Sequence, residues 1–77
     1  MVITGIIKDL DTIETLKGNC MAMATLIRNN KKYPLIIFHS VWKEYNSIIQ
    51  NGAYISLEVK LDKHSGNLAY IVQSVVK

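Results

Sequence analysis

The clearest pattern of apolar and polar positions lies between residues 54 and 61. There Ile55, Leu57, Val59 and Leu61 alternate with Tyr, Ser, Glu and Lys. A period of two is typical of a β-strand with one buried face, so we predict a strand over 54–61 with these four side chains directed inward. Residues 62–66 read Asp-Lys-His-Ser-Gly, which predicts a hairpin turn, and residues 68–76 predict a last strand.

Three more strands are predicted in the first half of the chain. The first is rich in β-branched residues and contains Gly5, which suits a sharply bent strand. The predicted elements are a strand over 2–10, a loop over 11–19, a strand over 20–28, a polar hairpin connection over 29–32 and a strand over 33–38. The second strand is apolar on both faces, because Ala22, Ala24 and Leu26 alternate with a largely apolar set. It therefore needs cover on both sides. Pro34 has no N–H and is expected at the start of its strand or on an edge.

The spacing of apolar residues becomes helical from residue 41 to residue 50. The apolar positions there are Val41, Trp42, Tyr45, Ile48 and Ile49. Ser40 is the expected N-cap and Gly52 follows the expected C-terminus. We expect this helix to close one end of a barrel, with Phe38, Trp42 and Tyr45 as core or helix-packing residues.

Three strands, a helix and two strands form the element order of the oligonucleotide-binding (OB) fold. We therefore predict an all-β protein, a five-stranded Greek-key OB-fold barrel with one helix between strands 3 and 4. A chain of 77 residues leaves no room for a second domain, so residues 1–77 are expected to form one.

Composition adds little to this picture. The net charge of +3 weakly favours a polyanionic partner. A single cysteine, Cys20, excludes an intramolecular disulfide and favours a reducing compartment, and we expect a cytoplasmic protein. No basic leader precedes an apolar segment, and no apolar run approaches about 18 residues, so we expect no membrane association.

Enzymatic activity is not expected. His39 and His64 belong to no Ser-His-Asp or Cys-His arrangement, and no glycine-rich loop is spaced to hold a phosphate. The sequence predicts no cofactor and no metal site.

Residues 15–26 read T-L-K-G-N-C-M-A-M-A-T-L, and this stretch carries a family resemblance. It resembles the OB-fold nucleic-acid-binding domains of the tRNA-anticodon type, such as the one in the alpha subunit of bacterial replicative DNA polymerase III. The matching positions are Ile3, Gly5, Ile7, Thr15, Lys17, Gly18, Met21, Ala22, Thr25, Leu26, Phe38, Tyr45, Ile49, Gly52 and Lys60. The sequence departs from the family pattern at Met23, where the family has Phe, and at Arg28, where it has an acidic residue.

The resemblance implies a small stand-alone protein that binds single-stranded DNA, or RNA, across strands 2 and 3. Loops 1–2 and 4–5 are expected to clamp the strand. The predicted binding residues are Lys17, Met23, Thr25, Arg28, Lys31, Lys32, Tyr33, Lys60 and Lys63. Met23, Thr25, Tyr33 and Leu35 are expected to form the floor, with Tyr54 and Tyr70 as further candidates for stacking. Because stacking and phosphate neutralisation require no particular base, we expect sequence-tolerant binding in replication, recombination or repair.

A different class of function also fits the sequence. Met21, Met23, Ile27, Leu35 and Ile37 are expected to form an exposed apolar patch, which would suit contact with another chain. The alternative is therefore a protein-interaction barrel that acts as a homo-oligomer or as a small subunit beside a replication protein.

Overall fold

The computed structural model describes residues 1–64 and 66–76, and its strands form one closed barrel. The elements are β1 (Val2–Glu14), β2 (Cys20–Arg28), β3 (Lys31–Ile37), α1 (His39–Tyr45), β4 (Tyr54–His64) and β5 (Asn67–Val76). Around the barrel the order is β1-β2-β3-β5-β4, with β3 and β5 parallel and all other neighbours antiparallel. The predicted five-stranded barrel with a helix between strands 3 and 4 is confirmed as an OB fold.

The core consists of inward-facing aliphatic residues from every strand, together with one residue that follows the helix. They are Ile3, Ile7, Ala22, Ala24, Leu26, Leu35, Ile37, Ile49, Leu57, Val59 and Val72. The β2 residues Ala22, Ala24 and Leu26 are buried, so Met23 and Thr25 face outward, as the predicted floor requires. Leu35 and Ile37 were expected on the outside, and that prediction is wrong, since both are buried.

Two strands, β1 and β4, continue well past their predicted ends, and each extends a hairpin beyond the core. β1 continues to Glu14 because a bulge between Lys8 and Asp11, with Asp9 at φ 54°, redirects the strand. β4 continues to His64, and every residue of β4 from Val59 to His64 pairs with a residue of β5. Leu61 was predicted to face the core, yet it is 50% exposed because the hairpin has passed the core at that point. The predicted turn over 62–66 includes Ser65, which lies outside the described residues.

The helix differs most from its prediction. It begins at His39 and ends at Tyr45, and its N-cap residue is Phe38, which makes no side-chain capping bond; Ser40 is not the cap. Beyond Tyr45 the chain continues in turns, in which the Asn46 Nδ2 group donates a hydrogen bond to the Lys43 carbonyl and the Ile48 and Ile49 N–H groups both donate to the Tyr45 carbonyl.

α1 packs at the barrel end where β2 begins and β5 ends. The imidazole Nδ1 of His39 lies 3.0 Å from the Cys20 carbonyl oxygen, and Val41, Trp42 and Tyr45 contact the core. Ile49, which follows the helix, is fully buried. The predictions that the helical segment closes one barrel end and that Trp42 packs there are confirmed.

Candidate nucleic-acid interface

A groove crosses the outer face of β2 and β3. Met23 lies opposite Ile36 and Thr25 opposite Pro34, so these four residues share the outer face and form the floor. The groove has a volume of about 510 Å³, enough for small groups such as nucleobases to enter. The full lining consists of Asp9, Met23, Ala24, Thr25, Pro34, Leu35, Ile36, Asn67, Leu68 and Ala69.

The two walls of the groove come from the hairpins that extend beyond the core. Asp9, on the bulge of β1, lies on one side, and the first three residues of β5 lie on the other. Pro34 precedes the first β3 residue that pairs with β5, so one edge of β3 is still open there, as a proline requires. The gap between β3 and β5 beside Pro34 opens the groove.

Cations lie around this groove on β1, β2, β3 and β4. Lys8 is opposite Thr25, Lys60 is opposite Ile71, and Lys63 is opposite the wall residue Leu68. Within residues 1–64 and 66–76 the single ion pair joins the N-terminal ammonium to Glu58 Oε1 at 3.0 Å. The cations around the groove therefore keep their charge available for phosphate groups.

The β2–β3 turn concentrates three of the predicted binding residues. Asn29 and Asn30 have φ of 50° and 65°, the combination of a two-residue type I′ hairpin. This turn sets Arg28 directly opposite Lys31, with Lys32 next along the strand. Like charges in direct cross-strand register are destabilising, by roughly 0.2–1 kcal/mol. A bound anion would remove that cost.

Carboxylates also lie close to the floor. Asp9 lines the groove, Asp11 is opposite Met23, and Asp62 is opposite the wall residue Ala69. These negative charges disfavour phosphate directly on the floor. The arrangement suits a strand whose bases lie on the apolar floor and whose phosphates lie outside it, among the lysines.

Tyr33 does not lie on the floor, and that prediction is wrong. It pairs with the buried Leu26 and therefore faces inward, where its ring centroid is 5.3 Å from that of Tyr70 in an edge-to-face contact. Leu35 also faces inward and contributes to the groove only beside Ile36. The two tyrosines pack on the core near the end of β2, opposite the end covered by the helix.

Phe38 was predicted in the core and is instead 48% exposed. Ile37 faces inward, and Phe38 follows it with extended backbone at φ −70° and ψ 165°, so its side chain lies on the outer side with Ile36. Phe38 therefore places an aromatic ring beside the floor. The outward position of Phe38 could have been predicted from the alternation of residues along β3, once Leu35 and Ile37 are known to face inward.

Lys17 lies apart from the groove lining. It belongs to the turn over 15–19 at the tip of the β1–β2 hairpin, where Gly18 has φ 79° and the Gly18 N–H donates to the Thr15 carbonyl. The neighbouring Leu16 is fully exposed. Of the nine predicted binding residues, Met23 and Thr25 line the groove, Lys32, Lys60 and Lys63 are on the strands around it, Arg28 and Lys31 flank the β2–β3 turn, Tyr33 faces inward and Lys17 is on the more distant tip.

Other chemistry in the described residues is limited. The pKa of Tyr45 is raised above its ordinary value, mainly by a hydrogen bond with Glu44 and less by partial desolvation. Tyr45 is on the helix and does not line the groove. In the described part of the chain no three His, Cys, Asp or Glu residues are grouped to hold a metal ion. The side chain of His64 lies outside the described residues. No helix among them is long and apolar enough to span a membrane.

Comparison with known proteins supports the fold. No protein-family model matches the chain, and no curated protein matches it. Among solved structures the chain is similar to the mitochondrial single-stranded DNA binding protein Rim1 of S. cerevisiae, with a TM-score of 0.64 and 16% sequence identity. The match covers 99% of this chain and 90% of that chain. The likeness is one of fold, and the predicted membership of the tRNA-anticodon-type subfamily stays a prediction.

Proposed function

We propose that this protein binds single-stranded nucleic acid, with DNA as the first candidate and RNA as the second. One observation carries the proposal: an apolar groove across β2 and β3 with lysines on the strands around it, none of which pairs with a carboxylate among residues 1–64 and 66–76. We further propose a cytoplasmic role as an accessory module in replication, recombination or repair. The name of the similar yeast protein states that it binds single-stranded DNA, which supports this choice of ligand.

The chemistry of binding follows from the two parts of the surface. Met23, Pro34 and Ile36 offer apolar contact to the faces of bases, and Phe38 offers a ring at the end of the floor. Lys32, Lys60 and Lys63 lie where the phosphates of such a strand would run. Neither kind of contact reads base edges, so binding is tolerant of sequence.

Salt is the simplest probe of the phosphate contacts. Each phosphate neutralised on a single strand contributes about 0.7 to the slope of log affinity against log salt. Lys32, Lys60 and Lys63 together therefore predict a slope of roughly 2, and Arg28 and Lys31 of the β2–β3 turn increase it. Binding that is insensitive to salt would contradict this mechanism.

The experiment is fluorescence anisotropy with labelled oligo-dT, mixed-sequence single-stranded DNA, RNA of the same length and duplex DNA, at low and moderate salt. The groove is tested with Met23→Glu, which puts a negative charge on the floor. Ile48→Glu is the matched control, because Ile48 is 38% exposed against 44% for Met23 and lies after the helix, outside the groove lining.

We expect preference for single strands over duplex. Met23→Glu is expected to weaken binding at least about fivefold, corresponding to the loss of about 1 kcal/mol of contact with a base. Ile48→Glu should bind as the unmodified protein does. Equal loss in both variants would contradict the groove as the site, and no binding to any oligonucleotide at low salt would overturn the proposed function.

A protein-interaction barrel is the second candidate. The outer face of β1 and β4 exposes Val2 and Ile6, and the neighbouring end of β5 exposes Val76. Exposed apolar patches of this kind mark contact surfaces when they are contiguous. Sedimentation of the purified protein over a range of concentrations tests it: a monomer at all concentrations removes the homo-oligomer.

A further inference from the structure

Tyr54 is the most exposed aromatic residue in the described part of the chain, at 73%. It is the first residue of β4 and faces outward, so it does not contribute to the core. In the same part of the chain, the residues that line the groove include no aromatic side chain. An exposed ring on a strand, outside the core and beyond the groove, requires an explanation.

Register connects Tyr54 to the groove face. A single cross-strand row runs through four neighbouring strands, in the order Lys32 of β3, Ile27 of β2, Ile6 of β1 and Tyr54 of β4. Residues in direct register share a face, and adjacent strands are about 4.8 Å apart, so this row extends roughly 14 Å from the end of the floor. It is an apolar path with a cation at one end and an aromatic ring at the other.

The charges along this row suit a polyanion. Lys8 is the diagonal neighbour of Tyr54, because it is two residues beyond Ile6 on the outer face of β1, and it also lies opposite the floor residue Thr25. Glu58, on the outer face of β4, is 3.0 Å from the N-terminal ammonium and is therefore neutralised. The path from the groove to Tyr54 thus has positive charges beside it and no free carboxylate in its row.

We infer that Tyr54 stacks on a base of the same single strand that occupies the groove, so that the binding track crosses β1 and ends on β4. This inference rests on the proposed function and extends it by one contact. Stacking on a tyrosine uses the ring and not the hydroxyl group, so a phenylalanine replaces it and an aliphatic residue does not.

The test compares Tyr54→Ala, Tyr54→Leu and Tyr54→Phe with the unmodified protein, using oligo-dT of about 5 and about 12 nucleotides, within the range of site sizes seen for OB folds. Tyr54→Ala and Tyr54→Leu are expected to weaken binding of the longer oligonucleotide about five- to tenfold, the lower part of the range for one stacked base. Tyr54→Phe should keep the affinity, and the short oligonucleotide should bind all four proteins equally. As a direct readout, photo-crosslinking with 5-iododeoxyuridine in the longer oligonucleotide should label the peptide that contains Tyr54.

Each contrary result has a definite meaning. Unchanged affinity in Tyr54→Ala, with the unmodified protein binding both lengths, overturns the stacking role and leaves the proposed function intact. The stacking role is also overturned if Tyr54→Ala changes the sedimentation coefficient and not the affinity, because the face then joins two copies of the chain. If the unmodified protein binds neither length at low salt, both the inference and the proposed function fail.

Discussion

Gly5 is the position at which the smallest substitution has the largest expected effect on stability. Its backbone runs so close to β2 that a Cβ atom would lie 2.4 Å from the Ile27 carbonyl oxygen and 2.6 Å from the Leu26 Cδ2 atom. Contacts of a Cβ atom below 3.0 Å essentially do not occur, so Gly5→Ala forces β1 and β2 apart by about 0.6 Å. The carbonyl oxygen is backbone, and it cannot rotate away as a side chain can.

Overpacking of this kind costs roughly 1–3 kcal/mol, and the smaller entropy of the unfolded alanine chain returns up to about 1 kcal/mol. We therefore expect Gly5→Ala to lower the free energy of unfolding by about 2 kcal/mol, which is a fall in Tm of roughly 8–16 °C for a domain of this size. Urea unfolding followed by circular dichroism and by Trp42 fluorescence measures it, with an unchanged m-value as the sign of a native-state effect.

The control is Gly18→Asn. Gly18 has φ 79° with no atom near its missing Cβ, and asparagine tolerates that conformation, so its cost should be a few tenths of a kcal/mol. If Gly5→Ala is as stable as the unmodified protein, the close approach of β1 to β2 is wrong, and the register that places the groove residues is wrong with it.

Three further predictions concern binding. Lys31→Ala/Lys32→Ala is expected to reduce the slope of log affinity against log salt by about 1.4, two phosphates at about 0.7 each, while Lys43→Ala on the helix leaves the slope as it was; an unchanged slope in the double variant would remove the β2–β3 turn from the site. Phe38→Ala should weaken binding by about 1 kcal/mol or more and Phe38→Tyr should restore it, whereas equal affinities in titrations of all three proteins would show that the ring contacts no base. Asp9→Asn keeps a residue that tolerates positive φ and removes a negative charge from the groove wall, so affinity should rise by about 0.3–1 kcal/mol at low salt and less at high salt; a decrease would mean that the carboxylate itself contacts the ligand.

The strands and their order were predictable because the alternation of apolar residues reports burial directly. Alternation grouped Ala22, Ala24 and Leu26 on one face of β2, and the structure buries that face. The faces of β3 were harder to assign, because this strand, like β2, is apolar on both faces and alternation alone cannot choose between them. The length of the β2–β3 connection decides which face of β3 is buried. Because an even number of residues separates the two strands, the inward residues of β2 pair with Tyr33, Leu35 and Ile37, which therefore also face inward. That argument from the sequence would have moved Tyr33 off the floor and Phe38 onto the outer side.

Other differences could not be seen without the structure. The bulge at Asp9 depends on how β1 bends around the core, and no local pattern marks the end of the helix at Tyr45, because apolar residues continue at helical spacing to Ile49. The groove walls are the least predictable part, because Asn67, Leu68 and Ala69 become neighbours of Pro34 only when β5 pairs in parallel with β3. Contacts between strands so distant in sequence leave no local pattern.

The parallel ladder between β3 and β5 consists of Leu35 with Tyr70 and Ile36 with Ile71, so the barrel is closed by its shortest seam. The floor of the groove lies on one side of the seam and the Asn67–Ala69 wall begins on the other. The seam therefore fixes the distance between the floor and this wall, and because Leu35 belongs to the core, the width of the groove is tied to the packing of the barrel interior.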